Sequence, residues 1–167
     1  MLHILGELGI TTSERITLAR ESEKSRFSDT FIRAAHRRIM LGEIFARRIQ
    51  DGAPAEQIDD AWKSYVNAVV EWNSDMMINI VGMEQYYTEK KSTELELIIL
   101  PKFVEFDTAV RSLYLSRLGK TPPVETADSR RRTVFELGTD LRDILYVFVR
   151  CFRRGQEDSK RAGCSLS

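Results

Sequence analysis

Residues 58–87 read IDDAWKSYVNAVVEWNSDMMINIVGMEQYY, and their apolar side chains recur at every third or fourth position. The mean period of about 3.6 residues is that of an α-helix, in which such positions share one face. The pattern predicts a long amphipathic helix with this face buried. The core-facing positions are Ile58, Trp62, Tyr65, Val69, Trp72, Met76, Ile80, Met83 and Tyr87. A second line is expected to widen the buried face: Val66, Val70, Met77 and Val81.

The sequence before this stretch predicts a first helix that is longer still. Thr11 and Glu14 have the spacing of a capping box, so a helix is expected to begin there. Gly52 suits the left-handed residue that ends a helix, and Pro54 suits the first turn of the next one. Residues 20–26 contain no apolar side chain, so the first third of this helix is expected to be either a solvated extension or poorly ordered.

The third predicted helix begins near Ser92 or Thr93, where Glu96 completes a capping box. Pro101 lies inside it and lacks the N–H that an interior helical position needs. We therefore expect a kink or a restart at Pro101. Gly119 marks the end of this helix.

A fourth predicted helix runs from about Val134 to Gly155 and carries apolar residues at helical spacing. Residues 156–167 are polar and are expected to form a flexible tail. The length of 167 residues fits a single domain, which we assign to residues 1–155.

Four amphipathic helices joined by short turns predict an all-α fold. The expected arrangement is an antiparallel four-helix bundle, built from one long and one shorter helical hairpin. Acidic residues precede basic ones by four positions within the predicted helices, a spacing that stabilises isolated helices. These pairs are Asp29–Arg33, Glu43–Arg47, Asp59–Lys63 and Asp107–Arg111.

Composition excludes several functional classes. Lys and Arg number 25 and Asp and Glu also number 25, so the chain lacks the basic excess of a general nucleic-acid-binding protein. Its apolar runs are shorter than the roughly 18 residues needed to cross a membrane, so no transmembrane segment is predicted.

No motif predicts a metal, a cofactor or catalysis. The Glu-x-x-His motif of di-metal helical bundles is missing at His3 and at His36. Cys151 and Cys164 form no CxxC pair, and the chain has no glycine-rich phosphate-binding loop. We therefore predict no catalytic, cofactor-binding or metal-binding residue.

Two features predict contacts. Asn73 lies beside Trp72, between Val70 and Met77, on the side expected to be apolar. A buried amide there would fix the helix register or bind a ligand, and register is the preferred interpretation. The second feature is a basic run in the connection before the fourth helix, which is a candidate contact for an anionic partner: Arg130, Arg131 and Arg132.

The unequal helix lengths predict an uncovered end of the long hairpin. This end contains the start of the first helix together with Met83, Tyr86 and Tyr87. Exposed apolar area of this kind usually marks an association site. We expect the apolar residues 1–10 to cover it, or a second chain to do so in an oligomer.

These observations lead to three functional hypotheses. The first is a non-catalytic interaction or structural module, with a protein partner or self-association. The second is a ligand-sensing bundle, the soluble domain of a receptor, with a small molecule bound between the helices. The third is an enzyme of unrecognised type, which would show a cleft with convergent titratable groups.

Overall fold

The computed structural model describes residues 12–120 and 132–153, with the side chains of the second stretch as far as Arg150. Within these ranges, 91% of the residues are helical and none lies in a strand. The all-α prediction is therefore confirmed. The elements are α1 (Thr12–Gln50), α2 (Ala55–Ser74), α3 (Met76–Tyr86), α4 (Glu89–Glu94), a π-helix (Leu95–Ile99), α5 (Leu100–Arg117) and α6 (Val134–Arg153).

The first helix agrees with its prediction. It spans 39 residues, and Gly52 in the following turn has a φ of 62°, the left-handed conformation that glycine adopts without strain. Residues 12–26 are exposed, apart from a half-buried Lys24. This segment is thus a solvated helical extension.

The long second helix of the prediction is divided at Asp75. Its backbone N–H donates to the carbonyl of Glu71 at 3.1 Å, and its own carbonyl accepts from the N–H of Asn79 at 2.8 Å. Helical hydrogen bonds therefore lie on both sides of the break, and the chain passes from α2 into α3 across a single residue.

The predicted start of the third helix is wrong. Thr88 is the N-cap of α4, and its hydroxyl accepts from the N–H of Lys91 at 3.3 Å. Ser92 is instead buried inside the helix, where its hydroxyl donates to Glu96 at 3.3 Å. The expected interruption at Pro101 is found as a π-helix directly before α5, with Pro101 in the first turn of α5, while the backbone stays helical through Ile99 and Leu100.

A capping box opens α6. The N–H of Thr133 donates to Glu136 at 2.7 Å, and the N–H of Glu136 donates to the Thr133 hydroxyl at 3.2 Å. The hydrogen bond from the Thr133 N–H lowers the pKa of the Glu136 carboxyl below its ordinary value. The charged carboxylate thus stabilises the first turn of α6.

Aromatic rings connect α1, α2 and α5. Trp62 of α2 stacks on Tyr114 of α5 with ring centroids 4.1 Å apart. Trp72 lies 5.3 Å from Phe31 of α1 and 4.9 Å from Phe103 of α5. The predicted burial of Trp72 is confirmed, since 1% of its surface is exposed.

Helices α2 and α6 each run antiparallel to α1, whereas α5 runs parallel to α1, since Arg38 meets Asp107 and Phe45 meets Tyr114. Along α1, Phe45 meets Trp62 and Phe31 meets Trp72, so the residue numbers of α2 rise as those of α1 fall. The same relation holds between α1 and α6, where Phe31 meets Phe148 and Glu43 meets Arg142. Further contacts join α5 to α1 and to α6.

Candidate functional site

A buried polar network lies where α1, α2 and α5 meet. Arg38 of α1 is 3% exposed, and its guanidinium donates to both carboxylate oxygens of Asp107 on α5, Nε to Oδ1 at 3.3 Å. The hydroxyl of Tyr65 on α2 donates to the same carboxylate. The guanidinium carbon also lies 4.7 Å from the ring centroid of Phe103.

Each member of this network binds another member. Burial, and then the neighbouring Asp107 carboxylate, raise the pKa of the Tyr65 hydroxyl far above its ordinary value. Tyr65 therefore stays protonated and remains a hydrogen-bond donor, while Arg38 and Asp107 balance each other's charge. The hydrogen bonds of these three side chains therefore connect α1, α2 and α5. In the sequence, Asp107 stands four positions before Arg111, a spacing that indicates a different partner.

The predicted burial of Asn73 is wrong. Its side chain is exposed, and the buried asparagine of this helix pair is Asn79, with 8% of its surface exposed. Asn73 occupies the same face as Val70 and Met77, as the spacing predicted, but this face points to solvent. It therefore does not fix the register from inside the core.

Met83, Tyr86 and Tyr87, at the end of the long hairpin, pack against the middle of α1 to different extents. Met83 is completely buried, so it presents no surface to a partner. Phe27 of α1 lies 5.6 Å from Tyr86 and 6.5 Å from Tyr87 between ring centroids, and the Tyr87 hydroxyl is hydrogen-bonded to Ser28. Met83 is therefore excluded as a contact residue, whereas Tyr86 and Tyr87 are half-buried and the start of α1 is exposed, with Ile16 at 65% and Leu18 at 61%. An association site at this end stays a prediction. The proposed covering by residues 1–10 lies outside the described residues.

The basic run before α6 is described only at its last member, since Arg130 and Arg131 lie outside the described residues. Arg132 is exposed, and its guanidinium forms ion pairs with Asp140 of α6 and with Glu105 of α5, the second at 3.3 Å. This arginine thus binds carboxylates of its own chain and connects α5 to the start of α6.

A line of exposed apolar residues follows the outside of α2 and α3. The predicted widening of the buried face is wrong, because Val70 is 58%, Met77 67% and Val81 53% exposed. The neighbouring helices cover the first apolar line and leave the second in water. We name this line the α2–α3 stripe; it consists of Val66, Val70, Asn73, Met77 and Val81, of which Val66 is half-buried.

The helices that carry this stripe are acidic. Residues 55–86 contain six acidic residues and one basic residue, Lys63, which gives a formal charge of −5. Glu84 is exposed on the same side as the stripe, whereas Glu71 and Asp75 are exposed on the side of α2 that faces α1. The stripe therefore lies on helices whose net charge is negative.

A shallow depression of about 210 Å³ lies between α1 and α2. Arg37 and Glu71 form an ion pair of 2.5 Å at its edge, and Ala34 and Ala68 contribute to its floor. A ligand-sensing bundle would need an enclosed cavity with an inward-facing polar group that is free to bind the ligand. Arg38 does face inward, but its guanidinium is bound to Asp107.

Over the described ranges, no helix is both long enough and apolar enough to cross a membrane. Within the same ranges, no three His, Cys, Asp or Glu side chains lie close enough together to hold a metal ion. Comparison of the chain with protein-family models, with curated protein sequences and with solved structures gives no significant match.

Proposed function

We propose that the protein is a non-catalytic interaction module, an antiparallel four-helix bundle that binds a protein partner through the α2–α3 stripe. The observation that carries the proposal is the exposure of Val70, Met77 and Val81 along one helical face. Isolated exposed apolar residues are ordinary, whereas a continuous line of them is typical of association sites.

Contacts between the helices support the bundle. In cyclic order, α1 packs on α2, α2 on α5 through the Trp62–Tyr114 stack, α5 on α6, and α6 on α1. Each neighbour runs opposite to the last, as in an up-and-down bundle. The outward faces of the helices are then the surfaces available for binding.

Burial of the stripe would contribute part of the free energy of a complex. Full burial of a fully exposed Val or Met side chain is worth about 1.5–3 kcal/mol. Because Val70, Met77 and Val81 are 53–67% exposed, together they offer roughly 3–5 kcal/mol before the cost of association is subtracted. The net negative charge of α2 and α3 favours a partner with basic and apolar side chains on one face.

Site-specific photo-crosslinking in the cells that make the protein tests this proposal. A photoreactive residue at Met77 should give discrete protein adducts, and the additional substitution Val70→Lys should remove them. The matched control is Tyr146 on α6, which is 66% exposed, close to the 67% of Met77. The proposal fails if position 77 yields no adducts beyond those obtained from position 146.

A further inference from the structure

The outward face of α1 complements the α2–α3 stripe. Side chains on this face recur in steps of three and four, and all of them are exposed. Met40 is 51% and Ile44 39% exposed. We name this surface the α1 outer face; it consists of Arg33, Arg37, Met40, Ile44, Arg47 and Arg48.

The charge of α1 is opposite to that of α2 and α3. Thr12–Gln50 contains nine basic and five acidic residues, a formal charge of +4, whereas residues 55–86 carry −5. Both surfaces therefore present exposed apolar side chains on charged helices, and the net charges of these helices have opposite signs. Within one molecule, opposite charges of α1 and α2 already meet where the two helices adjoin, because Arg37 pairs with Glu71 at 2.5 Å.

We propose that the partner of the α2–α3 stripe is the α1 outer face of a second copy of this chain. The inference rests on the proposed function of the stripe and names its occupant. Contact between two α2–α3 stripes would bring together two helical segments that each carry a formal charge of −5, which is unfavourable. A contact between unlike surfaces pairs opposite charges and buries Met40 and Ile44 against Val70 and Met77.

Such a contact is head-to-tail: in a pair of molecules, one copy keeps its α1 outer face free and the other copy keeps its stripe free. Interfaces of this kind continue from copy to copy, and they produce either a ring or an open chain of molecules. The chain as a whole has no net charge, with 25 basic and 25 acidic residues, so long-range repulsion between copies is small.

Two complementary variants test this arrangement by sedimentation of the full chain. The first, Met40→Glu with Ile44→Glu, puts negative charge on the α1 outer face. The second, Val70→Lys with Met77→Lys, puts positive charge on the stripe. The wild-type protein should associate with increasing concentration, and each variant alone should associate at least ten-fold more weakly.

Mixing the two variants is the decisive measurement. A pair that contains one molecule of each variant has one intact stripe and one intact α1 outer face, so these mixed pairs should form with an affinity within about ten-fold of the wild type. Circular dichroism and thermal melting establish that both variants fold, and Tyr146→Lys, an exposed substitution on α6, should associate like the wild type.

Three results would overturn the inference, and they separate it from the proposed function. A wild-type chain that sediments as a 19.3 kDa monomer at all concentrations excludes self-association. A first variant that still associates like the wild type excludes the α1 outer face, and a mixture that stays monomeric excludes the head-to-tail pairing. In each case, adducts from position 77 to a different protein would leave the proposed function standing.

Discussion

Arg38 on α1 and Asp107 on α5 form an ion pair although 69 positions separate them in the sequence. The arginine side chain is 4% exposed and the carboxylate 28%, so the pair reaches from the core to its edge. Tyr65 of α2 donates to the same carboxylate. One acidic group thereby fixes the relative positions of three helices.

Replacement of Arg38 by Met should destabilise the protein by about 3 kcal/mol, because it leaves the Asp107 carboxylate without its cation. The free energy of unfolding in urea measures the effect. Arg37→Met is the matched control, since Arg37 pairs with Glu71 on the surface, with more than half of each side chain exposed. It should cost less than about 1 kcal/mol. Equal losses in the two variants would contradict the structural role of Arg38.

Tyr65 should make the stability of the protein sensitive to alkaline pH. Its pKa is raised in the folded state, so the folded protein retains a proton that the unfolded chain releases above about pH 10. The contribution of this group is complete below that pH and declines as the pH rises further, by up to about 1.4 kcal/mol per pH unit.

Urea unfolding between about pH 8 and about pH 11, a range that spans the ordinary tyrosine pKa, measures this dependence. Tyr65→Phe should show a shallower decline than the wild type, whatever its stability at neutral pH. Tyr146→Phe, at an exposed position on α6, should retain the wild-type slope. A slope unchanged by Tyr65→Phe would show that the hydroxyl is not buried as described.

Trp72 should respond differently to truncation and to replacement by another ring. Trp72→Ala removes a fully buried side chain and should cost about 3–5 kcal/mol. The indole N–H is buried without a hydrogen-bond partner among the described residues, so replacing the indole with phenyl removes an unsatisfied donor. Trp72→Phe should therefore cost less than about 1.5 kcal/mol. A loss in Trp72→Phe as large as in Trp72→Ala would indicate a missed partner for the indole N–H.

Gly42 should not tolerate a methyl group. A Cβ at this position would lie 2.7 Å from the Phe106 ring and 3.2 Å from the Tyr65 ring, and both rings are buried. Overpacking should exceed the gain in helix propensity, so Gly42→Ala should lose about 1–2 kcal/mol of stability in urea unfolding.

The control for this substitution is Gly138→Ala on α6. A Cβ there meets chiefly the carboxylate of Glu43, the movable end of a flexible side chain. We expect this variant to lose less stability than Gly42→Ala, because the Glu43 side chain can move, at some cost to its ion pair with Arg142, and alanine favours the helix. The close packing of α1 on Phe106 would be refuted if Gly42→Ala were equally well tolerated.

The sequence predicted the helices well because helix ends depend on neighbouring residues. Gly52 supplies the left-handed conformation after α1, and Pro101 lies where regular α-helical bonding is interrupted. These effects act within one or two turns of the chain. The start of α4 was missed because Thr88 and Ser92 both offer a capping hydroxyl, and only the packing of Ser92 into the interior excludes it.

The candidate surface was present in the sequence but assigned to the wrong side. Spacing placed Val70, Asn73 and Met77 on one face of a helix, and the structure keeps them together there. Whether a given face is buried depends on where the neighbouring helices lie. The periodicity of one helix shows which residues share a face, but it does not show the positions of its neighbours. For the same reason, the exposure of Asn73 and the burial of Asn79 required the tertiary structure.

The ion pairs show most clearly the division between what the sequence determined and what the fold decided. The sequence determined which acidic residues lie on helices and suggested partners four positions away. In the structure, Glu43 pairs with Arg142, Asp59 with Arg117 and Asp107 with Arg38, all on other helices. A pair within a helix gains only about 0.2–0.5 kcal/mol at the surface, whereas a partly buried pair between helices is less screened by water. Local periodicity therefore determined the secondary structure, and the packing of the helices decided which charges met.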